Sequence, residues 1–203
     1  LASPGEVELH LCTRGAPAEA EERLAEMEAD FVRVLAHRIH GRGDESLPAS
    51  IGRLLAAAGK TLALAESCTG GLASTLLTDV PGSSAYFLGS VVSYADSAKE
   101  SMLDVSPVTL RNHGAVSAEA AREMARGALT RFGSDLAVAV TGIAGPDGGS
   151  EEKPVGTVFF ALVDRGGRES VKKRLYGGDR AIVRRASAMF ALEMIRRFLT
   201  EVP

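Results

Sequence analysis

Cysteine is scarce in this chain: only Cys12 and Cys68 occur, far apart among 203 residues. That excludes a disulfide framework and metal-knuckle spacing, and it makes a reducing cytoplasm the expected setting. Basic excess is also missing. The 23 Lys and Arg residues face 26 Asp and Glu, a net charge of −3. No global electrostatic footprint for nucleic acid results. Local clusters at Lys172-Lys173-Arg174 and Arg184-Arg185 read as solvated faces of a strand and a helix. No apolar run is long enough to span a bilayer and no signal peptide stands out, so no membrane partner is expected. Histidine is sparse too. His10, His37 and His40 lie near the start, and His113 follows a helical-looking stretch. None ends an obvious strand, so a Ser-His-Asp triad lacks its base. His37 and His40 have no third ligand beside them, and no metal is expected. Neither a P-loop nor a G-x-G-x-x-G fingerprint occurs, and no internal repeat does.

What is present is a chain with 45% hydrophobic residues, enough for a sizeable core. Its most telling stretch is Ala65-Glu66-Ser67-Cys68-Thr69-Gly70-Gly71. It follows the apolar run Thr61-Leu62-Ala63-Leu64 and leads into a helix-compatible run from Leu72 to Leu77. A strand ending in a hydroxyl, a thiol and glycines, then turning into a helix, suits chemistry. Glycines permit the sharp turn. A helix start offers N–H groups and a positive dipole end to developing negative charge. A serine there needs a base before it becomes a useful nucleophile. The segment Ser93-Tyr94-Ala95-Asp96-Ser97-Ala98-Lys99 offers one, because a lysine desolvated enough to lose its proton near pH 7 serves as a general base. Thirty-two residues separate Ser67 from Lys99 (99 − 67), room for a crossover helix and a strand, so both would meet where open α/β sheets bind ligands. The residues alone leave other readings open. Ser67 is also a plausible helix cap, Lys99 a solvated helix residue, and Cys68 either a rival nucleophile or a buried packing residue.

The chain reads in two pieces. Residues 1–43 suggest a strand at 7–13, a helix from Pro17 to about Ala36 with an apolar face through Leu24, Met27, Phe31, Val34 and Leu35, and a short strand at Arg38-Ile39-His40. Gly41 to Glu45 resembles a linker. The second piece covers 46–203. Pro48 opens a helix that Gly59 closes. Strands follow at 61–66 and 86–94, a helix at Lys99–Leu103, and a helix capped by Ser117 that runs to Phe132. The continuous apolar strand Leu136–Val140 reads as covered on both faces. It leads into a second glycine-rich loop, Thr141-Gly142-Ile143-Ala144-Gly145-Pro146-Asp147-Gly148-Gly149. A hairpin over 156–163 and 170–176 precedes a last helix capped by Asp179. The pattern predicts an α/β fold: a three-layer α/β/α sandwich around a mixed sheet, preceded by the small strand–helix–strand segment. The chain begins with Leu1, not Met, and is expected to be a piece of something longer.

The serine, lysine and second glycine-loop segments, together with Asp79-Val80-Pro81-Gly82-Ser83-Ser84, His113-Gly114-Ala115-Val116-Ser117 and Glu151-Glu152-Lys153-Pro154-Val155-Gly156-Thr157, closely resemble the CinA C-terminal domain family, the nicotinamide-mononucleotide deamidases. The likeness covers roughly residues 46–201. It implies a Ser/Lys amidohydrolase that converts nicotinamide mononucleotide to nicotinic acid mononucleotide and ammonia. Ser67 would be the nucleophile and Lys99 the general base, with Tyr94 orienting the site and Thr141 supporting the lysine or the substrate. Backbone groups of Cys68, Thr69, Gly70 and Gly71 would hold the oxyanion, and Gly142 and Gly145 would belong to a loop against the nucleotide. The resemblance also implies no cofactor, no metal, a homodimer, and residues 1–43 as the end of a linking, KH-like domain. One departure is Asp96, where asparagine is frequent. Its carboxylate would favour a charged Lys99 if it faced the site. The alternative function is a non-catalytic nucleotide-binding or assembly module tied to competence or DNA-damage response.

Overall fold

The structure is a computed structural model and describes residues 2–3 and 6–200. In the N-terminal piece β1 (Ala2–Ser3) pairs antiparallel with β2 (Glu6–Val7). The strand expected over 7–13 stops at Val7, because β1 offers no partner for the backbone beyond it. The helix opened by Pro17 forms as α1 (Pro17–Leu35). It fully buries none of its residues: Met27, Phe31 and Val34 of its apolar stripe are exposed, Val34 at 77%, and Leu24 and Leu35 are half-buried. The strand expected at Arg38-Ile39-His40 is a correction of the same kind. Residues Ala36–Arg38 form a single 3₁₀ turn instead, and among the described residues no strand pairs with this stretch.

From Ser46 onward local signals and structure coincide. The Ser46 hydroxyl accepts from the Ala49 N–H and starts α2 (Leu47–Ala58), and Gly59 ends it in the left-handed conformation that costs glycine nothing. Next come β3 (Leu62–Glu66), α3 (Leu72–Thr78), β4 (Phe87–Val92), α4 (Asp96–Leu103) and α5 (Pro107–His113). Ser117 caps α6 (Ala118–Phe132) through the Ala120 N–H. Then β5 (Leu136–Gly142), β6 (Thr157–Asp164), β7 (Glu169–Leu175) and α7 (Arg180–Thr200) follow. Asp179 caps the last helix by accepting from the Ile182 N–H. The basic run on β7 is a solvated strand face, with Lys173 over the Phe159 ring and Arg174 over Phe190.

The strands make one mixed sheet in the order β4-β3-β5-β6-β7. β3 runs parallel to both β4 and β5, and β6 and β7 are antiparallel. Period-two alternation sorts the side chains by size. Leu62, Leu64, Val138, Val140, Phe160 and Leu162 meet Ile51, Leu55, Val183 and Leu192 of α2 and α7 on one face. Ala63, Ala65, Ala137, Ala139 and Ala161 meet Ala121, Met124, Ala125 and Ala128 of α6 on the other. Alanine against alanine brings α6 close to the sheet, and Leu103 at the end of α4 and Val105 beyond it complete that layer. This is the three-layer α/β fold. Among the described residues no helix is long and apolar enough to cross a membrane.

Gly127 on α6 shows how close the layers come. A Cβ there would stand 2.0 Å from the Leu103 carbonyl oxygen of α4. Gly127→Ala is expected to lower stability by about 1–3 kcal/mol, the usual cost of overpacking. A chemical-denaturation midpoint equal to that of the parent would contradict this packing.

Candidate active site

Strand register builds the site. Glu66 of β3 stands opposite Val92 of β4 on one side and Val140 of β5 on the other. Ser67 and Ser93 therefore leave two adjacent strands at the same end of the sheet, and Thr141, next to last in β5, comes up beside them. The Ser67 N–H donates to the Val140 carbonyl at 2.9 Å, and the Ser93 N–H to the Glu66 carbonyl at 2.8 Å. Motifs far apart in sequence converge because β3 lies parallel to both neighbours.

After Ser93 the chain turns into α4, whose first turns carry Lys99 back under the strand ends. Lys99 is only 1% exposed, among the largest fully buried side chains of the described residues, and Ser67 is 8% exposed. The amine Nζ lies 3.3 Å from Ser67 Oγ and donates to the carbonyls of Ser93 at 3.0 Å and Tyr94 at 3.2 Å. Burial pushes Lys99 below the usual lysine range, against the raising influence of Asp96, Cys68 and Tyr94. Asp96 does face the site: its Oδ1 is 3.7 Å from Nζ, but 61% of its side chain stays in solvent, where water screens it. Desolvation outweighs the carboxylate. With two protons of a neutral amine held by carbonyls, its lone pair is left for the Ser67 hydroxyl.

The helix start behaves differently from the open anion site expected of it. Glu66, fully buried, folds back over it. Its Oε2 accepts from the N–H groups of Gly71 at 3.0 Å and Ala73 at 3.1 Å, and its Oε1 from the Ser74 N–H at 2.8 Å and hydroxyl at 2.5 Å. The Gly70 N–H donates to the Ser67 carbonyl at 3.0 Å. Gly70 and Gly71 therefore have no N–H left for an oxyanion, which corrects that expectation. Among the described residues the N–H groups of Cys68 and Thr69 reach no carboxylate or carbonyl; they face the Cys68 sulfur, a weak acceptor, and are the donors left beside Ser67. Cys68 is 4% exposed. Burial raises its thiol to about 12, with a further push from Glu66, against the backbone N–H groups of Cys68 and Thr69 and against Arg184. The expected lowering by the helix start loses to burial, so Cys68 carries no thiolate near neutrality.

A cleft of about 260 Å³ opens over the pair, lined by Ser67, Cys68, Lys99, Asp96, Thr141 and Gly142 among others. Gly145 lines it as well, while Thr69, Gly70 and Gly71 do not. Thr141, 1% exposed, donates its hydroxyl proton to the Ala115 carbonyl at 2.8 Å and so ties a second wall, Ala115 and Val116, to β5. Gly142 is required sterically, since a Cβ would meet Val158 Cγ2 at 2.7 Å. Tyr94 divides its role. Its carbonyl holds Lys99, while the residue as a whole is 58% exposed and its phenol oxygen accepts from Arg180 Nη2 at 2.6 Å. Among the described residues no group of three His, Cys, Asp or Glu side chains is placed to hold a metal ion. Glu66 and Arg180 were not singled out from the sequence. A lone carboxylate ending an apolar strand was the signal for the first, whereas nothing local marked the second.

The model of the CinA C-terminal domain matches residues 44–199. A CinA-like protein of Geobacter sulfurreducens is 51% identical over 188 residues, covering 91% of this chain and 45% of that protein. The chain thus spans about half the length of the curated relatives it matches. The crystal structure of competence/damage inducible protein CihA from Agrobacterium tumefaciens superposes with a TM-score of 0.75 at 44% identity, covering 77% of this chain and 95% of that one. A CinA superfamily protein from Klebsiella pneumoniae gives 0.73 at 36% identity, covering 78% and 98%.

The site predicts how Ser67 reactivity varies with pH. A sulfonyl fluoride sulfonylating Ser67, with loss of fluoride, should react faster as pH rises through the depressed Lys99 value, because only the neutral amine takes the hydroxyl proton. Asp96→Asn removes the influence that favours the charged amine, so the midpoint should move to lower pH. Lys99→Met should flatten the profile. A midpoint unmoved or raised in Asp96→Asn, followed by mass spectrometry of the adduct, would count against this electrostatic picture.

Proposed function

The chain belongs to the CinA C-terminal domain family, and from that premise we propose that it hydrolyses the carboxamide of nicotinamide mononucleotide, giving nicotinic acid mononucleotide and ammonia through an acyl-enzyme on Ser67. The observation that carries this reading is the buried amine of Lys99, 3.3 Å from the Ser67 hydroxyl.

Neutral Lys99 takes the Ser67 proton as Oγ attacks the amide carbon. The resulting oxyanion lies toward the N–H groups of Cys68 and Thr69. One such donor typically contributes about 3 kcal/mol to the transition state. The carbonyl re-forms, the C–N bond breaks, and Lys99 returns its proton to the leaving ammonia. Water then gives a proton to Lys99 and attacks the ester. Ser67 leaves with that proton, and the acid product is released. The ammonium formed in each half-reaction is held by the Ser93 and Tyr94 carbonyls, with Asp96 as counter-charge. The substrate ring is already cationic and withdraws electrons from its carboxamide, so the chemistry assigned to these residues calls on no metal or cofactor. Tyr94 acts through its carbonyl on Lys99, and Thr141 through Ala115 on the cleft wall. A homodimer and a cytoplasmic setting belong to the same proposal.

Ammonia release from nicotinamide mononucleotide tests it. Ser67→Ala should lose turnover by about 10³-fold or more, and Cys68→Ala should retain it. Loss only in Cys68→Ala would transfer the nucleophile to the thiol. A parent protein that binds the nucleotide and releases no ammonia would make it a binding module instead.

A further inference from the structure

Asp96 has entered so far only as a partner of Lys99, yet it also stands on the wall of the cleft. It is the first residue of α4, and 61% of its side chain is in solvent. Among the described residues its one ion pair is the 3.7 Å contact to the Lys99 amine. A lysine that serves as base must be uncharged, and in that state Asp96 has no cation to balance it. Arg180, the cation of the same cleft, does not step in. Its guanidinium donates to the Gly145 carbonyl at 2.8 Å and the Tyr94 phenol oxygen at 2.6 Å, and it makes no ion pair with Asp96. The reactive state of the cleft therefore carries an unbalanced negative charge. The dyad fixes where that charge lies. Lys99 Nζ stands 3.3 Å from Ser67 Oγ and 3.7 Å from Asp96 Oδ1. An amide carbon under attack by Ser67 thus has the carboxylate one amine away, and a flat ring carried on that carbon stays within its field. A cation on the ring fills the place that the lysine vacates by losing its proton. A neutral ring leaves the carboxylate to the ammonium, the form of Lys99 that cannot act as base. The second carboxylate of the cleft, Asp147, belongs to the glycine-rich loop after β5 and is not among the contacts of the lysine.

We propose that Asp96 is the cation-recognising residue of the cleft and makes the site select an amide on a positively charged ring over the same amide on a neutral ring. This rests on the amidohydrolase reading, and the measurements separate the two. Nicotinamide mononucleotide and its dihydropyridine form make the matched pair. Carboxamide, ribose and phosphate are the same in both, and the ring charge is lost with the added hydride. Calorimetry on Ser67→Ala protein reads binding without chemistry. The oxidised nucleotide should bind about 5- to 30-fold more tightly than the reduced one, the range for a pair of unit charges near 4 Å that water partly screens. Adding Asp96→Asn should remove most of that preference, and Asp96→Glu should keep part of it. With Ser67 in place, the ratio of kcat/KM for ammonia release from the two nucleotides should fall by a similar factor in Asp96→Asn. The two amides differ in intrinsic reactivity, but that difference is common to both proteins and cancels. A preference unmoved by Asp96→Asn, or one lost in Asp147→Asn instead, would overturn the assignment while ammonia release still upheld the amidohydrolase. An Asp96-dependent preference in binding, with no ammonia released by the parent, would overturn the amidohydrolase and leave the cation site standing. Ser67→Ala protein that binds neither nucleotide would overturn the assignment as well.

Discussion

The site depends on keeping one amine out of water. Lys99 is 1% exposed and has two carbonyls and a serine hydroxyl as its near neighbours. An ammonium there loses hydration that a half-solvated carboxylate at 3.7 Å does not replace. Either the proton leaves or the charge is tolerated at a cost to stability, and proton loss makes the lysine a base. Asp96 does not abolish this, because most of its side chain lies in water. Its influence sets where the amine titrates and offers a counter-charge when the amine is transiently protonated. The thiol next to Ser67 illustrates the same physics with the opposite outcome. Burial keeps Cys68 protonated and therefore inert, so one desolvated pocket activates its amine and silences its sulfur.

Glu66 sets a second constraint. An open helix start is a general anion site, but α3 is closed internally by a buried carboxylate that takes three of its backbone N–H groups. That fixes the turn from Ser67 to Gly71 rigidly against β3. It also takes the Gly71 N–H out of the set of candidate oxyanion donors, as the Ser67 carbonyl takes that of Gly70.

Much of this was legible in the sequence because it is written locally. Ser46, Ser117 and Asp179 cap the helices they precede, and Gly59 ends the one before it. The apolar run 136–140 is covered on both faces, as its composition implied. The strands expected at 7–13 and 38–40 failed because a strand needs a partner, and alternation at 7–13 says nothing about whether one lies alongside. Glu66 and Arg180 were illegible for a related reason. Their contacts reach backbone groups five to eight residues on and a loop 35 residues back, respectively. Lys99 is the sharpest case. The helix Asp-Ser-Ala-Lys-Glu-Ser-Met-Leu is polar enough to be solvated. Only the parallel register of β3 and β4, which sets Ser67 beside Ser93, makes its fourth residue a buried one.

The burial of Lys99 has a cause remote from the chemistry. α4 has eight residues, too few to hold a fixed orientation on their own. Its far end is seized by the close approach of α6, where the Leu103 carbonyl occupies the space a side chain at Gly127 would take. Leu103 and Val105 are each 1% exposed, and the Val105 N–H donates to the Lys99 carbonyl at 3.2 Å. That contact exists only because alanines on β3, β5 and β6 let α6 settle close to the sheet. The size sorting of side chains across the sheet thus holds α4 down and keeps its lysine from swinging into solvent. A smaller interlayer distance on one face of the sheet becomes, at the strand ends, the low-dielectric pocket that weakens an amine's hold on its proton.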